Sequence, residues 1–215
     1  MTQFNDQQMI VDKFRSRSES NYIFACHAAL PLLLTPDLLY QLWNNFKQYS
    51  YIYRPERSYS ISHIAISDLL LSNLCREVGL EVYKMDEAIR KILLEDLISN
   101  LGDKRKKAIA SFLKEYAVSE YKHPQQKNYR DVHLMTALSI LDPSKMEKMV
   151  VEGINNSIRE SEREKYFSLH LNILPEGLNT DLKKLSEAAA AVRNNAALRP
   201  VIEINDCLLY TSPSP

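Results

Sequence analysis

Glycine is scarce in this chain: only four of its 215 residues are glycine, and no two of them are adjacent. Loops that hold phosphate need clustered glycines, because the backbone amides must approach the anion closely. The sequence therefore argues against a nucleotide-binding fold. It also has no His-Glu-x-x-His, Cys-x-x-Cys, Gly-x-Ser-x-Gly or calcium-loop motif. These absences lower the expectation of an enzyme.

An excess of charge and a long apolar run are also missing. The 27 basic side chains balance 27 acidic ones, so no overall field attracts nucleic acid or an anionic membrane. The longest apolar run, residues 28–34, contains Pro31 and is far shorter than the ~20 residues of a membrane span. The first six residues do not resemble a secretory signal. We expect a cytoplasmic protein without a membrane partner.

Cysteine is rare as well, with three residues, Cys26, Cys75 and Cys207. Two buried thiols at positions 26 and 75 would fit a reducing compartment, although a disulfide between them stays open. Cys26 precedes His27, but consecutive helical side chains point about 100° apart and do not readily activate each other. We expect a packed cysteine, with a thiol enzyme as a rival. The five histidines lack metal-ligand spacing, so no metal and no cofactor is expected.

What the chain does contain is a set of helix signals. Gly79, Gly102 and Gly177 each follow an apolar-periodic segment and are predicted to be helix C-caps. Capping oxygens precede such segments at Thr35, Asp86 and Asp142. The predicted helices include residues 61–78, 89–101, 131–141, 145–158, 162–174 and 180–197, and a further apolar stripe covers residues 109–117.

Short connections between these segments favour packed antiparallel neighbours. The predicted fold class is therefore all-α, an antiparallel helical bundle or a short stack of helical hairpins, with a small hairpin or loop at 48–60. Residues 1–20 are interpreted as an amphipathic arm and linker, and residues 21–206 as one helical domain. Residues 207–215 resemble translated sequencing-adapter DNA. We therefore expect the preceding chain to be the N-terminal part of a longer protein.

Two aromatic segments are candidate binding surfaces. The first is the predicted helix with the only tryptophan, and the second is the tyrosine-rich segment that follows it. Core packing is the ordinary explanation of both, but exposed aromatic clusters mark protein interfaces. The candidate protein-interaction residues are Tyr40, Trp43, Phe46, Tyr51 and Tyr53.

The alternative is single-stranded nucleic acid, which binds where aromatic rings stack bases and basic groups hold phosphates. The ordinary explanation of the basic run in this set is a solvated helical turn. The candidate residues for this function are Tyr49, Arg54, Arg57, Lys104, Arg105, Lys106 and Lys107.

The first half of the chain resembles a known type of module. Residues 25–43 (ACHAALPLLLTPDLLYQLW), 64–71 (IAISDLLL), 74–79 (LCREVG) and 83–94 carry the likeness. They resemble the N-terminal helical adaptor-like module of bacterial multidomain signalling or conflict-type proteins. In similar proteins this module precedes formylglycine-generating-enzyme-like, caspase-like or NTPase modules. The long tyrosine insertion before Ile61 departs from that pattern.

The resemblance covers residues 22 to about 197 and is strongest before residue 96. It implies an adaptor without catalytic residues, whose partner is another protein or a fused effector domain. A small-molecule ligand is neither indicated nor excluded by the residues. The expected function is therefore non-catalytic protein interaction, and nucleic-acid binding is the less expected alternative.

Overall fold

A computed structural model describes residues 2–123, 126–146, 148 and 149 of the chain, with side chains from residue 6 onward. This part is mainly helical and includes two small antiparallel sheets. The elements in chain order are α1 (Thr2–Arg15), α2 (Glu19–Ala28), α3 (Pro36–Phe46), β1 (Gln48–Tyr51), β2 (Arg54–Ser60), α4 (Ile64–Leu70), β3 (Cys75–Gly79), β4 (Val82–Met85), α5 (Glu87–Glu120) and α6 (Lys127–Leu141).

The long helix α5 organises the core. It packs against α6, α2 and α1 and also contacts α3 and β1. The first predicted apolar stripe, Ile89, Ile92, Leu93 and Leu97, is buried before Gly102. Of the second stripe, Ile109, Leu113, Tyr116 and Ala117 are buried and Phe112 is half-buried. The spacing of these side chains at three and four residues places each set on one face of the helix.

Gly102 interrupts α5, as its predicted role as a helix end requires. Its backbone has φ +81° and ψ 163°, which is non-helical and lies in a region that essentially only glycine occupies. The second helical segment starts immediately, so the glycine produces a break between two segments rather than a terminal cap.

The predicted helix starts at Thr35 and Asp86 are confirmed. The Thr35 hydroxyl accepts a hydrogen bond from the N–H of Leu38, and Pro36 occupies the first turn of α3. The Asp86 carboxylate accepts from the N–H groups of Ala88 and Ile89. These bonds satisfy donors that have no partner within the helix.

The all-α prediction is wrong in detail because the described part of the chain contains two hairpins. The first, β1–β2, lies at 48–60, where a hairpin or loop was predicted. The second, β3–β4, begins at Cys75, within residues 61–78, which were predicted to be a single helix. In the structure that helix ends at Leu70, and Gly79 belongs to a strand rather than to a helix cap.

Local hydrogen bonds explain the early end of α4. The Ser72 hydroxyl donates to the carbonyl of Leu69 and accepts from the N–H of Leu74. Serine side chains compete in this way with helical hydrogen bonds. The following residues pair instead with β4, and Leu34 forms an isolated bridge to Tyr83 of that strand.

Helix α1 packs against α2 and α5, and its residues Val11 and Phe14 are part of the main core. The predicted helices at 162–174 and 180–197, most of 145–158, the glycines at 153 and 177, and the tail 207–215 lie outside the described residues. No helix of the described part is long and apolar enough to cross a membrane.

Candidate functional site

An exposed aromatic surface lies on α3. Tyr40 is 55% exposed, and its ring contacts that of Trp43 with centroids 5.7 Å apart. The Trp43 indole N–H donates to the carbonyl of Ile61 at 2.9 Å, and part of the side chain packs against the core. The indole is therefore fixed in orientation while part of it remains accessible.

Two polar groups border the indole. The Lys47 ammonium lies 4.9 Å from the centroid of the Trp43 ring, which is cation–π geometry. The exposed His63 side chain contacts the same ring edge-on, with centroids 6.2 Å apart. We call Tyr40, Trp43, Lys47 and His63 the Trp43 face. Sequence reasoning missed His63, because only the tertiary fold brings the start of α4 next to α3.

Phe46 was predicted to belong to this surface, and the structure places it elsewhere. It is buried, and its ring contacts Phe112 at 5.7 Å and His27 at 6.0 Å. Each step of three residues turns by about 60° around a helix, so Phe46 lies about 120° from Tyr40 and its ring meets Phe112 of α5. Phe46 therefore contributes to folding and offers no contact area to a partner.

The tyrosines of the β1–β2 hairpin form a packed ladder rather than an open surface. Tyr49 and Tyr51 are both buried, and their rings meet edge to face at 5.5 Å. Tyr49 stacks on Tyr59 at 5.4 Å, and Tyr51 stacks on Tyr53 at 5.0 Å. Only Tyr53, which is 61% exposed, presents a large part of its ring to solvent. Tyr49 and Tyr51 therefore cannot serve as contact residues in this conformation.

A polar cluster attaches this ladder to the helices. The Tyr51 hydroxyl donates to the Glu19 carboxylate at 3.1 Å, and Arg15 donates twice to the same carboxylate. The Tyr22 hydroxyl donates to Asp96, and the Arg15 guanidinium lies over the Tyr22 ring. Burial raises the pKa of both tyrosine hydroxyls. These groups keep their protons at neutral pH and act as hydrogen-bond donors.

Arg105 also differs from its predicted role as a nucleic-acid contact. It donates to Nε2 of His27 at 3.3 Å and to the carbonyl of Phe46 at 3.0 Å, and it also reaches the carbonyl of Gln48. Its guanidinium lies 5.0 Å from the centroid of the Phe46 ring. The side chain therefore joins α2, α3 and β1 to α5 and has few donors left for a phosphate.

The other basic residues of the run remain accessible. Lys104 and Lys107 are exposed and Lys106 is half-buried, and Lys107 forms an ion pair with Asp103 at 2.8 Å. The hairpin tip lies beside this run, because the N–H of Ile52 donates to the carbonyl of Asn100 at 2.9 Å. The structure thus places the hairpin that carries the exposed Arg54 and Arg57 beside the helix segment that carries these lysines.

The Cys26 and His27 pair has no catalytic geometry. Both side chains are completely buried, and burial raises the pKa of the Cys26 thiol while it lowers that of His27. Reactive thiols are accessible and have a depressed pKa. The Nε2 atom of His27 is engaged by Arg105 instead. Cys75 is a second free thiol, whose pKa burial raises to about 12.

Metal-ligand geometry is likewise missing from the described part of the chain. No three side chains from His, Cys, Asp and Glu come together there as a metal ion would require. Comparison of the chain with protein-family models, with curated proteins and with solved structures found no significant match. The chemistry of the exposed side chains is therefore the basis on which a function can be argued.

Proposed function

We propose that this chain is a non-catalytic protein-interaction domain that binds a partner through the Trp43 face and joins it to another module. The observation that carries the proposal is an exposed tyrosine beside a tryptophan whose indole is held by the backbone of Ile61. Tryptophan and tyrosine are enriched among the residues that dominate binding energy, and a side chain already fixed loses little entropy on binding.

The side chains of the Trp43 face favour a partner that carries both apolar groups and acidic or carbonyl oxygens. Lys47 offers a cation next to the rings, and His63 offers an imidazole on the other segment. An apolar side chain of the partner would pack between Tyr40 and His63, and an acidic or carbonyl oxygen would meet Lys47. We further propose that the domain acts in the cytoplasm, because its cysteines at 26 and 75 are free thiols.

The experiment is quantitative affinity capture with the immobilised 215-residue chain. The test variant is Tyr40→Ala with His63→Ala, which removes two exposed side chains and leaves the Trp43 hydrogen bond intact. The matched control is Leu71→Ala with Leu80→Ala, since these leucines are 87% and 80% exposed and lie on other segments. We expect the test variant to lose at least one bound protein that the control retains.

Equal capture by both variants would remove the Trp43 face from the proposal. Circular dichroism and the urea midpoint of each variant must match those of the original chain, so that loss of binding does not reflect unfolding. Trp43→Ala is less suitable as a first variant, because it deletes the bond to Ile61 and exposes core contacts. A fall in its stability is expected from those contacts alone.

A further inference from the structure

The tip of the β1–β2 hairpin lies in a local excess of positive charge. Arg54, Arg57, Lys104, Lys106 and Lys107 lie on the hairpin and on the adjoining start of the second α5 segment, together with Glu56 and Asp103. These two adjoining segments therefore carry five basic groups and two acidic ones, although the whole chain has equal numbers of both. Such a patch favours an anionic partner.

Contacts between the hairpin and α5 hold these two segments together. Strand β1 runs beside α5, since the Ile52 N–H bonds to Asn100 and the Arg105 guanidinium bonds to the carbonyl of Gln48. A Cβ atom placed on Gly102 would lie 3.2 Å from the Ile52 side chain. The position of the hairpin beside α5 depends on tertiary contacts of this kind, because the hairpin and the lysines are about 50 residues apart in sequence.

The pairing of β2 with β1 leaves the hairpin arginines exposed. Between the pairs Tyr51–Arg54 and Tyr49–Tyr59, β1 contributes one residue, number 50, and β2 contributes four, numbers 55–58. This irregularity moves residues 55–58 away from the regular ladder, and all of them are exposed. Pro55 also lacks a backbone N–H, so this edge is poorly suited to adding a further strand.

Apolar surface accompanies the charges. Ile52 and Tyr53 form the turn and are 57% and 61% exposed. The Tyr53 ring stacks on Tyr51, and the Arg54 guanidinium lies 5.9 Å from its centroid. The ring faces are thus engaged within the hairpin, which leaves little room for a stacked base.

We propose that this patch, made of Ile52, Tyr53, Arg54, Arg57 and Lys104, docks an acidic segment of a protein that carries apolar side chains between its carboxylates. The inference rests on the proposed function, since it names a second surface of the same interaction domain. The arginines can donate charge-assisted hydrogen bonds to carboxylates, Tyr53 offers a rigid aromatic edge, and Ile52 offers apolar contact. The patch and the acidic segment are opposite in charge, and both combine charged with apolar side chains.

The experiment measures fluorescence anisotropy of a labelled peptide of repeating glutamate, glutamate and leucine, titrated with the 215-residue chain. The test variant is Arg54→Ala with Arg57→Ala. The matched control is Arg76→Ala with Lys84→Ala, which removes the same charge from the other hairpin. We expect the test variant to bind about two- to thirtyfold more weakly and the control to bind unchanged, because the variant loses two exposed ion pairs with the peptide, each of modest strength.

Three results would overturn the proposal. These are no peptide binding at about 50 mM salt, equal weakening by both variants, and tighter binding of oligothymidylate than of the peptide through the same two arginines. The last result would assign the patch to nucleic acid. The capture experiment at the Trp43 face uses other residues, so loss of this patch and loss of the proposed function are distinguishable.

Discussion

Replacement of Gly102 by alanine tests the break in α5 most directly. Glycine at φ +81° and ψ 163° occupies a region that alanine avoids, and such strain amounts to about 1–3 kcal/mol. The new methyl group would also lie 3.2 Å from the Ile52 Cγ2 atom, so the hairpin tip must shift. Together these effects should destabilise the fold by about 2–4 kcal/mol.

The sign of the effect distinguishes a broken helix from a continuous one. In the interior of an unbroken helix, replacing glycine by alanine stabilises the chain by about 1 kcal/mol. In urea denaturation the break instead predicts a fall of the midpoint by about 1 M or more with little change in slope, since slopes are about 1–3 kcal/mol/M. A midpoint that rises, or that does not move, would refute the break at Gly102.

Two further variants distinguish the backbone strain at position 102 from the contact with the Ile52 side chain. Ser99 lies in the same helix at an exposed helical position, and Ser99→Ala should leave the free energy of unfolding within about 0.5 kcal/mol of the original. Adding Ile52→Ala to Gly102→Ala removes the side chain that the new methyl meets. Recovery of stability in the double variant would measure the contact, and the remaining loss would measure the backbone strain.

The other predictions concern the buried polar groups. Arg105→Ala leaves the His27 ring and the carbonyl of Phe46 without this donor and should destabilise the fold by about 2–4 kcal/mol in the same urea assay. Lys104→Ala should change stability by less than about 0.5 kcal/mol, and a similar loss for both variants would contradict the role of Arg105. Burial lowers the pKa of His133 to about 4, whereas the unfolded chain takes up this proton near 6.5. Protonation of His133 should therefore lower the stability by at most about 3 kcal/mol as pH decreases from about 6.5 to 4, in addition to the effect of the buried His27. His133→Phe should weaken this pH dependence, and an unchanged pH profile in that variant would contradict the assignment.

Local features of the fold were predictable where the residues that produce them lie within one short segment of the chain. The caps at Thr35 and Asp86 need only an oxygen and N–H groups two or three residues away. The buried stripes of α5 need only helical spacing, and Gly102 needs only a residue that tolerates positive φ. Each of these predictions depends on residues that are neighbours along the chain, and at these positions the tertiary contacts agree with the local preference.

The predictions that failed depend on distant partners. Residues 75–79 have helical spacing of apolar groups, but pairing with β4 and the Ser72 hydrogen bonds give a strand. Arg105 is one of four adjacent basic residues, and nothing in that run distinguishes it. Its burial arises because α2, α3 and β1 converge on one side of α5 with acceptors that require a donor.

The sequence by itself therefore determined the helical character, the helix starts and the location of the first hairpin. The tertiary structure decided which aromatic side chains are accessible. It buried Phe46, Tyr49 and Tyr51, exposed Tyr40 and Tyr53, and placed His63 beside Trp43. The physical reason is that burial depends on the packing of segments far apart in sequence, whereas helix and turn formation depends largely on residues within a few positions of one another.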